Sequence, residues 1–359
     1  MDSTQPTAQS IEGSLLGLML GDSIGLPYEG LSPRRIQKLT KGEFKQSLIL
    51  GKGMVSDDTE HAIITARSLC KTESPTLFGK SLAWGLRWWF ARLPAGVGMA
   101  TGRALIKSWI GFPHNKSGVY SAGNGPAMRA PILGVVFGHQ PELLKEYVGL
   151  STRITHTDPK AYIGALAVAE ASYLSSQQNY GFESFKSAMH HLLTELPSHQ
   201  TEEFWLLMEH IEKEIPAGTE GIKRLIEHLK LHKGVSGYTY HTLPIVLLMF
   251  FVHKSDFKTA INQMIALGGD TDTTAAILGG IIGSGLSKEQ LPEKWLSEIW
   301  DYPCTPTYVS RLAVQLNTRL SSQRPSKCSY LPGPFILIRN LFFLVIVLLH
   351  GFRRLLPPY

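Results

Sequence analysis

Gly13, Gly17 and Gly21 stand four residues apart inside an apolar run made of Leu15, Leu16, Leu18, Met19 and Leu20. Residues four apart share one face of a helix, so the three glycines form a stripe without side chains. Each costs about 1 kcal/mol relative to alanine in a helix interior. That cost is offset only where another backbone approaches closely, between buried helices. Ala275, Ala276, Gly279, Gly280 and Gly283 repeat the pattern near the far end of the chain. The stretches 59–70, 81–92, 160–176, 184–194, 201–213, 219–232, 244–253, 257–266 and 288–298 also suit helices, and alternating strand patterns are nearly absent. The expected class is all-α. Segment 196–240 is the most polar and reads as a peripheral helical insertion.

Two acidic clusters, Ser56-Asp57-Asp58 and Asp270-Thr271-Asp272-Thr273, lie more than two hundred residues apart. If they form one site, most of the chain folds as one unit around it. With 359 residues, 43% of them hydrophobic, the chain has enough material for such a core. The net charge of +6 suggests nucleic acid until its distribution is followed. No acidic residue follows Asp301, while Arg311, Arg319, Arg324, Lys327, Arg339, Arg353 and Arg354 do. Residues 1–301 balance 28 basic against 29 acidic side chains, so a basic groove in the body is not expected. Cys70, Cys304 and Cys328 are too few and too scattered for a disulfide framework or a thiolate zinc site. Met1–Ser10 lacks the basic-then-apolar pattern of a secretory leader, and a reducing, cytoplasmic location is expected.

Each acidic cluster opens a helical stretch and adds a hydroxyl. Singly, each also fits a helix N-cap followed by first-turn acids. The second is less easily dismissed, because Gly268-Gly269 lets the backbone turn so that Asp270, Asp272 and Thr273 converge. Hard oxygen donors of this kind suit Mg²⁺, Mn²⁺ or Ca²⁺, and no His or Cys stands beside them to favour zinc. Gly21-Asp22-Ser23-Ile24-Gly25-Leu26-Pro27-Tyr28-Glu29-Gly30 ends one helix and delivers Glu29, either a surface acid or a proton acceptor. Ser121-Ala122-Gly123-Asn124-Gly125-Pro126-Ala127-Met128-Arg129 is a Gly/Asn turn running into a helix, an ordinary loop or a cradle for phosphate. Thr155-His156-Thr157-Asp158-Pro159 precedes another small-residue helix, where a lone His has a structural reading as well.

The spelling and order of GDSIGLPYEG, SDDTE, GNGPAMR, THTDP and GGDTDTTAAILGGIIG resemble the ADP-ribosylglycohydrolase family, across about residues 10 to 300. The resemblance implies a compact, orthogonal all-α bundle over 10–320, with 321–359 as linker and tail. It implies two Mg²⁺ or Mn²⁺ ions held by Ser56, Asp57, Asp58, Asp270, Asp272 and Thr273. Asp57, Asp270 and Glu29 become the catalytic candidates. Ser121, Gly123, Asn124, Gly125, Ala127, Met128 and His156 become the contacts to ADP-ribose. The implied substrate is an ADP-ribosylated protein or a small conjugate, whose N- or O-glycosidic bond is hydrolysed by a monomer. Ser56 replaces the Thr of many relatives and keeps the hydroxyl. Gly96–Thr101 has no acid where some members carry Asp, which puts in doubt a mechanism using that Asp and the transfer of those members' arginine specificity, and the acceptor stays open.

Asp270-Thr271-Asp272-Thr273-Thr274 also fits the DxDxT of haloacid-dehalogenase-type phosphatases, and Gly21-Asp22-Ser23-Ile24-Gly25 fits GxSxG. Both need a preceding strand, which neither has. The remaining alternative is a catalytically idle, ADP-ribose-binding or crystallin-like member, which loss of metal ligands would reveal. The apolar tail 331–359 contains nine apolar residues from Leu341 to Leu349, interrupted upstream by Arg339 and Asn340. It falls short of the roughly 20 clean residues of a span. A helix lying on a membrane surface and a helix packed on the body are both consistent with it.

Overall fold

The computed structural model describes residues 6–40, 43–329 and 331–353. The expectations on Met1–Gln5 and Arg354 lie outside them. Among the described residues there are seventeen α-helices and no named strand. In order they are α1 Ala8–Gly25, α2 Pro33–Thr40, α3 Asp57–Lys71, α4 Pro75–Phe90, α5 Met99–Trp109 and α6 Ala130–Phe137. Next come α7 Pro141–Arg153, α8 Pro159–Ser176, α9 Phe182–Leu193, α10 Ser198–Glu214, α11 Thr219–His228 and α12 Thr239–His253. The last are α13 Phe257–Ala266, α14 Thr271–Gly283, α15 Glu293–Ser297, α16 Pro306–Ser322 and α17 Gly333–Arg353. The all-α expectation holds.

The two glycine stripes belong to one seam. A Cβ on Gly13 would lie 2.2 Å from the carbonyl oxygen of Gly283, one on Gly17 2.3 Å from that of Gly279, and one on Gly21 1.9 Å from that of Ala275. A Cβ on Gly25 would lie 2.3 Å from the Thr271 carbonyl oxygen. The partner numbers fall as the α1 numbers rise, so α1 and α14 run antiparallel with their backbones in contact. Ser14 Oγ donates to the Gly280 carbonyl (3.1 Å) and Thr271 Oγ1 to that of Gly25 (2.9 Å). Both helices are buried on nearly every side, as the central elements of a multilayer bundle must be. The antiparallel seam has a functional consequence. It puts the C-terminal end of α1, which leads to Glu29, beside the N-terminal end of α14, which carries Asp270 and Asp272.

Local departures from the sequence reading have identifiable causes. Helix α4 begins at Pro75, six residues early, because Ser74 caps it and proline fits the first turn. The stretch 288–298 divides into a short 3₁₀ turn at Lys288–Gln290 and α15, with Pro292 between them. Helix α11 stops at His228, and Lys230 just beyond it has a φ of 56°. Helices α2, α5, α7 and α16 were not foreseen; α7 and α16 each start at a proline that reads as a breaker out of context. Helices α10 and α11 form the polar periphery and pack on α12.

The tail folds back as α17. Phe343 and Ile346 pack with Leu26, Leu48, Met54 and Ala95 of the body. Arg339 and Asn340, which interrupt the apolar pattern in sequence, point inward and are 6% and 0% exposed. Asn340 donates to the Arg92 carbonyl (2.9 Å). Arg339 pairs with Glu60 (3.1 Å) and with both oxygens of Asp301.

Candidate active site

The end of the α1–α14 seam opens into a cleft of about 640 Å³. Its walls include Glu29, Asp57, Asp270, Asp272, Thr273, Ser121, Gly123, Asn124, Gly125, Met128 and His156. Eleven of the fourteen residues singled out in the sequence are thus brought together. Ser56 and Asp58 lie buried just behind this wall, and Ala127 packs in the hydrophobic core instead of facing the cleft.

The first acidic loop is held by carboxylates. Fully buried Asp22 accepts from Ser56 N (2.9 Å), Thr59 N (3.1 Å) and Thr59 Oγ1 (2.5 Å). Asp301 accepts from Val55 N (2.8 Å), while Arg339 binds Asp301, Glu60 and the Val55 carbonyl. Ser56 caps α3 through Asp58 N (3.3 Å), and its hydroxyl also donates to Asp58 Oδ2 (3.1 Å). Thr273 donates to that same Asp58 oxygen (3.2 Å), joining the two clusters directly.

The second acidic loop is held by backbone. Gly268 and Gly269 have φ of 69° and 86°. Gly30 N donates to the Gly269 carbonyl (2.7 Å), Gly269 N to that of Leu31 (2.9 Å), and Asp270 N to that of Val235 (2.7 Å). A Cβ on Gly269 would stand 2.0 Å from the Val235 oxygen. Asn124 ties this loop to the Gly/Asn turn, donating to Asp270 Oδ2 (2.7 Å) and Thr242 Oγ1 (3.0 Å). His156 lies under the same turn: a Cβ on Gly123 or Gly125 would come within 3.0 or 3.1 Å of its ring. The glycines there let the turn rest on the imidazole.

Burial raises the carboxyls of Asp57, Asp58 and Asp272 well above the usual range, and repulsion from Asp22 and Asp270, joined by Glu29 at Asp57 and Asp272, raises them further. Burial likewise brings Asp22 up to about 6, against the pull of its hydrogen bonds. His156 is pushed down to about 3 by burial and by nearby Arg129, so its ring is neutral. Arg129 is fully buried, bonded to Ser151, Thr155 and His61, and stays cationic at about 10 despite burial, with Asp57 supporting its charge. Sequence reading missed the roles of Asp22, Arg129 and the loop Lys233–Gly237, which also lines the cleft. Gly234 and Gly237 were the one visible sign of that loop.

Asp58 Oδ1 and Asp272 Oδ1 are buried without a hydrogen-bond partner among the described residues. Buried carboxylate oxygens that repel one another call for a cation. No three His, Cys, Asp or Glu side chains form a closed cage there among the described residues. A hard divalent ion fits the donor chemistry only if the Ser56 and Thr273 hydroxyls, with water or substrate, complete its shell.

Fold and cleft define an all-helical protein with a buried, acid-lined centre. The sequence profile of the ADP-ribosylglycohydrolase family matches residues 3–325, and the chain belongs to that family and is a hydrolase. It is 28% identical over 306 residues to an ADP-ribosyl-[dinitrogen reductase] glycohydrolase from Rhodospirillum rubrum, covering 80% of this chain and 89% of that one. It is 26% identical over 317 residues to ADP-ribosylhydrolase ARH3 from Xenopus tropicalis, covering 79% and 89%. A solved ADP-ribosylglycohydrolase-related protein complex superposes with a TM-score of 0.61 over 87% of this chain and 98% of that chain. At 22% identity this last likeness speaks for the fold alone. The family match ends before α17.

Proposed function

We propose that this protein is a divalent-cation-dependent hydrolase that releases ADP-ribose from an acceptor, either a modified protein or a small conjugate. The reading is carried by one observation: Glu29, Asp57, Asp270 and Asp272 meet the Ser121–Gly125 turn in a single cleft. The cleft volume lies within the range of sites that enclose a small organic ligand.

The proposed cofactors are two Mg²⁺ or Mn²⁺, with Ser56, Asp57, Asp58, Asp270, Asp272 and Thr273 as ligands. When bound, such ions polarise ribose hydroxyls and make bound water more acidic. The protein's own groups do the rest. Ser121, Gly123, Asn124 and Gly125 seat the diphosphate, with Lys233 in the same wall offering a positive charge. Met128 and neutral His156 support that turn and the sugar. Asp57 and Asp270 stabilise positive character at the anomeric carbon as its bond to the acceptor breaks. Glu29 accepts a proton from the incoming water, and a proton passes to the departing acceptor atom. Asn124 holds Asp270 in the required orientation.

The rim segment Gly96, Gly98, Met99, Ala100 and Thr101 is uncharged. It offers nothing to a guanidinium, which favours a neutral, oxygen-linked acceptor. The test is a panel of arginine-linked, serine-linked and small ADP-ribose conjugates, assayed with Mg²⁺, Mn²⁺ or chelator. Metal-dependent release that disappears in Asp57→Ala and Asp270→Ala is expected. Undiminished release in both variants, or in chelator, overturns the metal assignment. ADP-ribose binding without turnover of any conjugate would mark an idle binding protein instead.

A further inference from the structure

Helix α17 has two faces of opposite character. The inner face is locked to the body by the Arg339 ion pairs with Glu60 and Asp301 and by Asn340. The outer face exposes Phe335, Ile338, Leu341, Phe342, Val345 and Leu349 to solvent. Gly333–Phe352 is long and apolar enough to cross a membrane, yet only 28% of it is buried. An apolar stripe of this length on a soluble body marks an interaction surface.

We propose that this outer face rests on an anionic lipid bilayer, with α17 lying in the plane of the interface while it stays docked on the body. Three observations favour lipid over a second copy of the chain. Residues 302–359 carry seven basic side chains and no acidic one; Arg339 is committed to Glu60 and Asp301, and the other six complement an anionic headgroup layer. The apolar face is edged by aromatic residues with polar tips, as at membrane interfaces. Tyr302 packs edge-on against Phe335, with ring centroids 5.8 Å apart, and exposed Trp84 and Trp88 line a hollow shared with Ile336. Finally, the ion pairs of Arg339 oppose a spanning state. Pulling α17 across the bilayer would strand Glu60 and Asp301 as buried charges without their partner.

The experiment is flotation of the full-length protein with vesicles of phosphatidylcholine alone or with about 30% phosphatidylserine, which gives the surface the negative potential of an anionic leaflet. The expected result is binding to the anionic vesicles, lost at high salt and weakened at least about tenfold in L341E/V345E. Both substituted positions are exposed, so unchanged thermal unfolding of the variant shows that the fold survives. Alkaline carbonate should release the bound protein. Failure to bind either vesicle overturns the proposal. So does a stable dimer in lipid-free buffer that L341E/V345E dissolves, since the face would then be a contact between copies. Resistance to carbonate would overturn the in-plane arrangement.

Discussion

The two acidic loops present the same chemistry to the cleft but are built in opposite ways. The loop at 55–60 hangs from charged side chains: Asp22 and Asp301 take its amides, and Arg339 takes a carbonyl and Glu60. The loop at 268–273 hangs from main-chain bonds to Leu31, Gly30 and Val235, at two glycines with positive φ. A loop held by side chains depends on charge balance and tolerates concerted exchange. A loop held by backbone depends on the absence of a side chain and tolerates nothing larger than glycine.

The sharpest way to break this contrast is Gly269→Ala. The new methyl would meet the Val235 oxygen at a position whose φ already disfavours it, and we expect a loss of about 4 kcal/mol or more in denaturant unfolding. A loss below about 1 kcal/mol would show that the backbone scaffold yields easily. Next in size, Arg339→Ala leaves Glu60 and Asp301 unpaired in the interior and should cost about 3–4 kcal/mol. Combining Arg339→Met with Glu60→Gln and Asp301→Asn should recover most of that, measured by the same method. If the triple variant is no better than the single one, the loop is held by shape and not by charge.

Proton linkage, by contrast, is shared by the two loops. Burial raises Asp22 from 3.8 to about 6, and raises Asp57, Asp58 and Asp272 well above 3.8. The chelated folded protein therefore holds protons that the unfolded chain releases near pH 3.8. Its extra stability is complete below that pH and is lost as pH rises through about 6 and beyond. Asp22 alone accounts for about 3 kcal/mol at most. Thermal unfolding in chelator should fall across this range, and Mg²⁺ should restore it, more strongly at higher pH. A flat profile in chelator would contradict the charge crowding. The smallest effect is Ser56→Ala, which removes a helix cap and should cost about 1 kcal/mol, whereas Ser56→Thr should change unfolding by less than about 0.5 kcal/mol.

Much of the site was legible because its chemistry is local: both aspartate clusters, the Gly/Asn turn, Glu29 and His156 are short strings that reach the same cleft. Asp22 sat in a recognised string without a role, because nothing local shows that three donors of another segment converge on it. Arg129 was in the same position, at the end of the Gly/Asn motif and wholly buried. Arg339 read as a flaw in an apolar stretch, since charge in sequence gives no sign of its partner more than two hundred residues earlier at Glu60. Ala127 went the other way: its place in a motif suggested contact, and packing put it in the core.

By itself the sequence determined the helical class and the close approach of backbones, because glycines four apart leave a helix face bare and only another backbone fills it. It also determined which oxygen donors the cleft contains. Tertiary structure alone decided that the two glycine stripes face one another in opposite directions, and so bring the end of one helix and the start of another to a single cleft. It alone decided which charges are buried and with whom. Those outcomes depend on distances between residues remote in the chain, and periodicity carries no information about such distances.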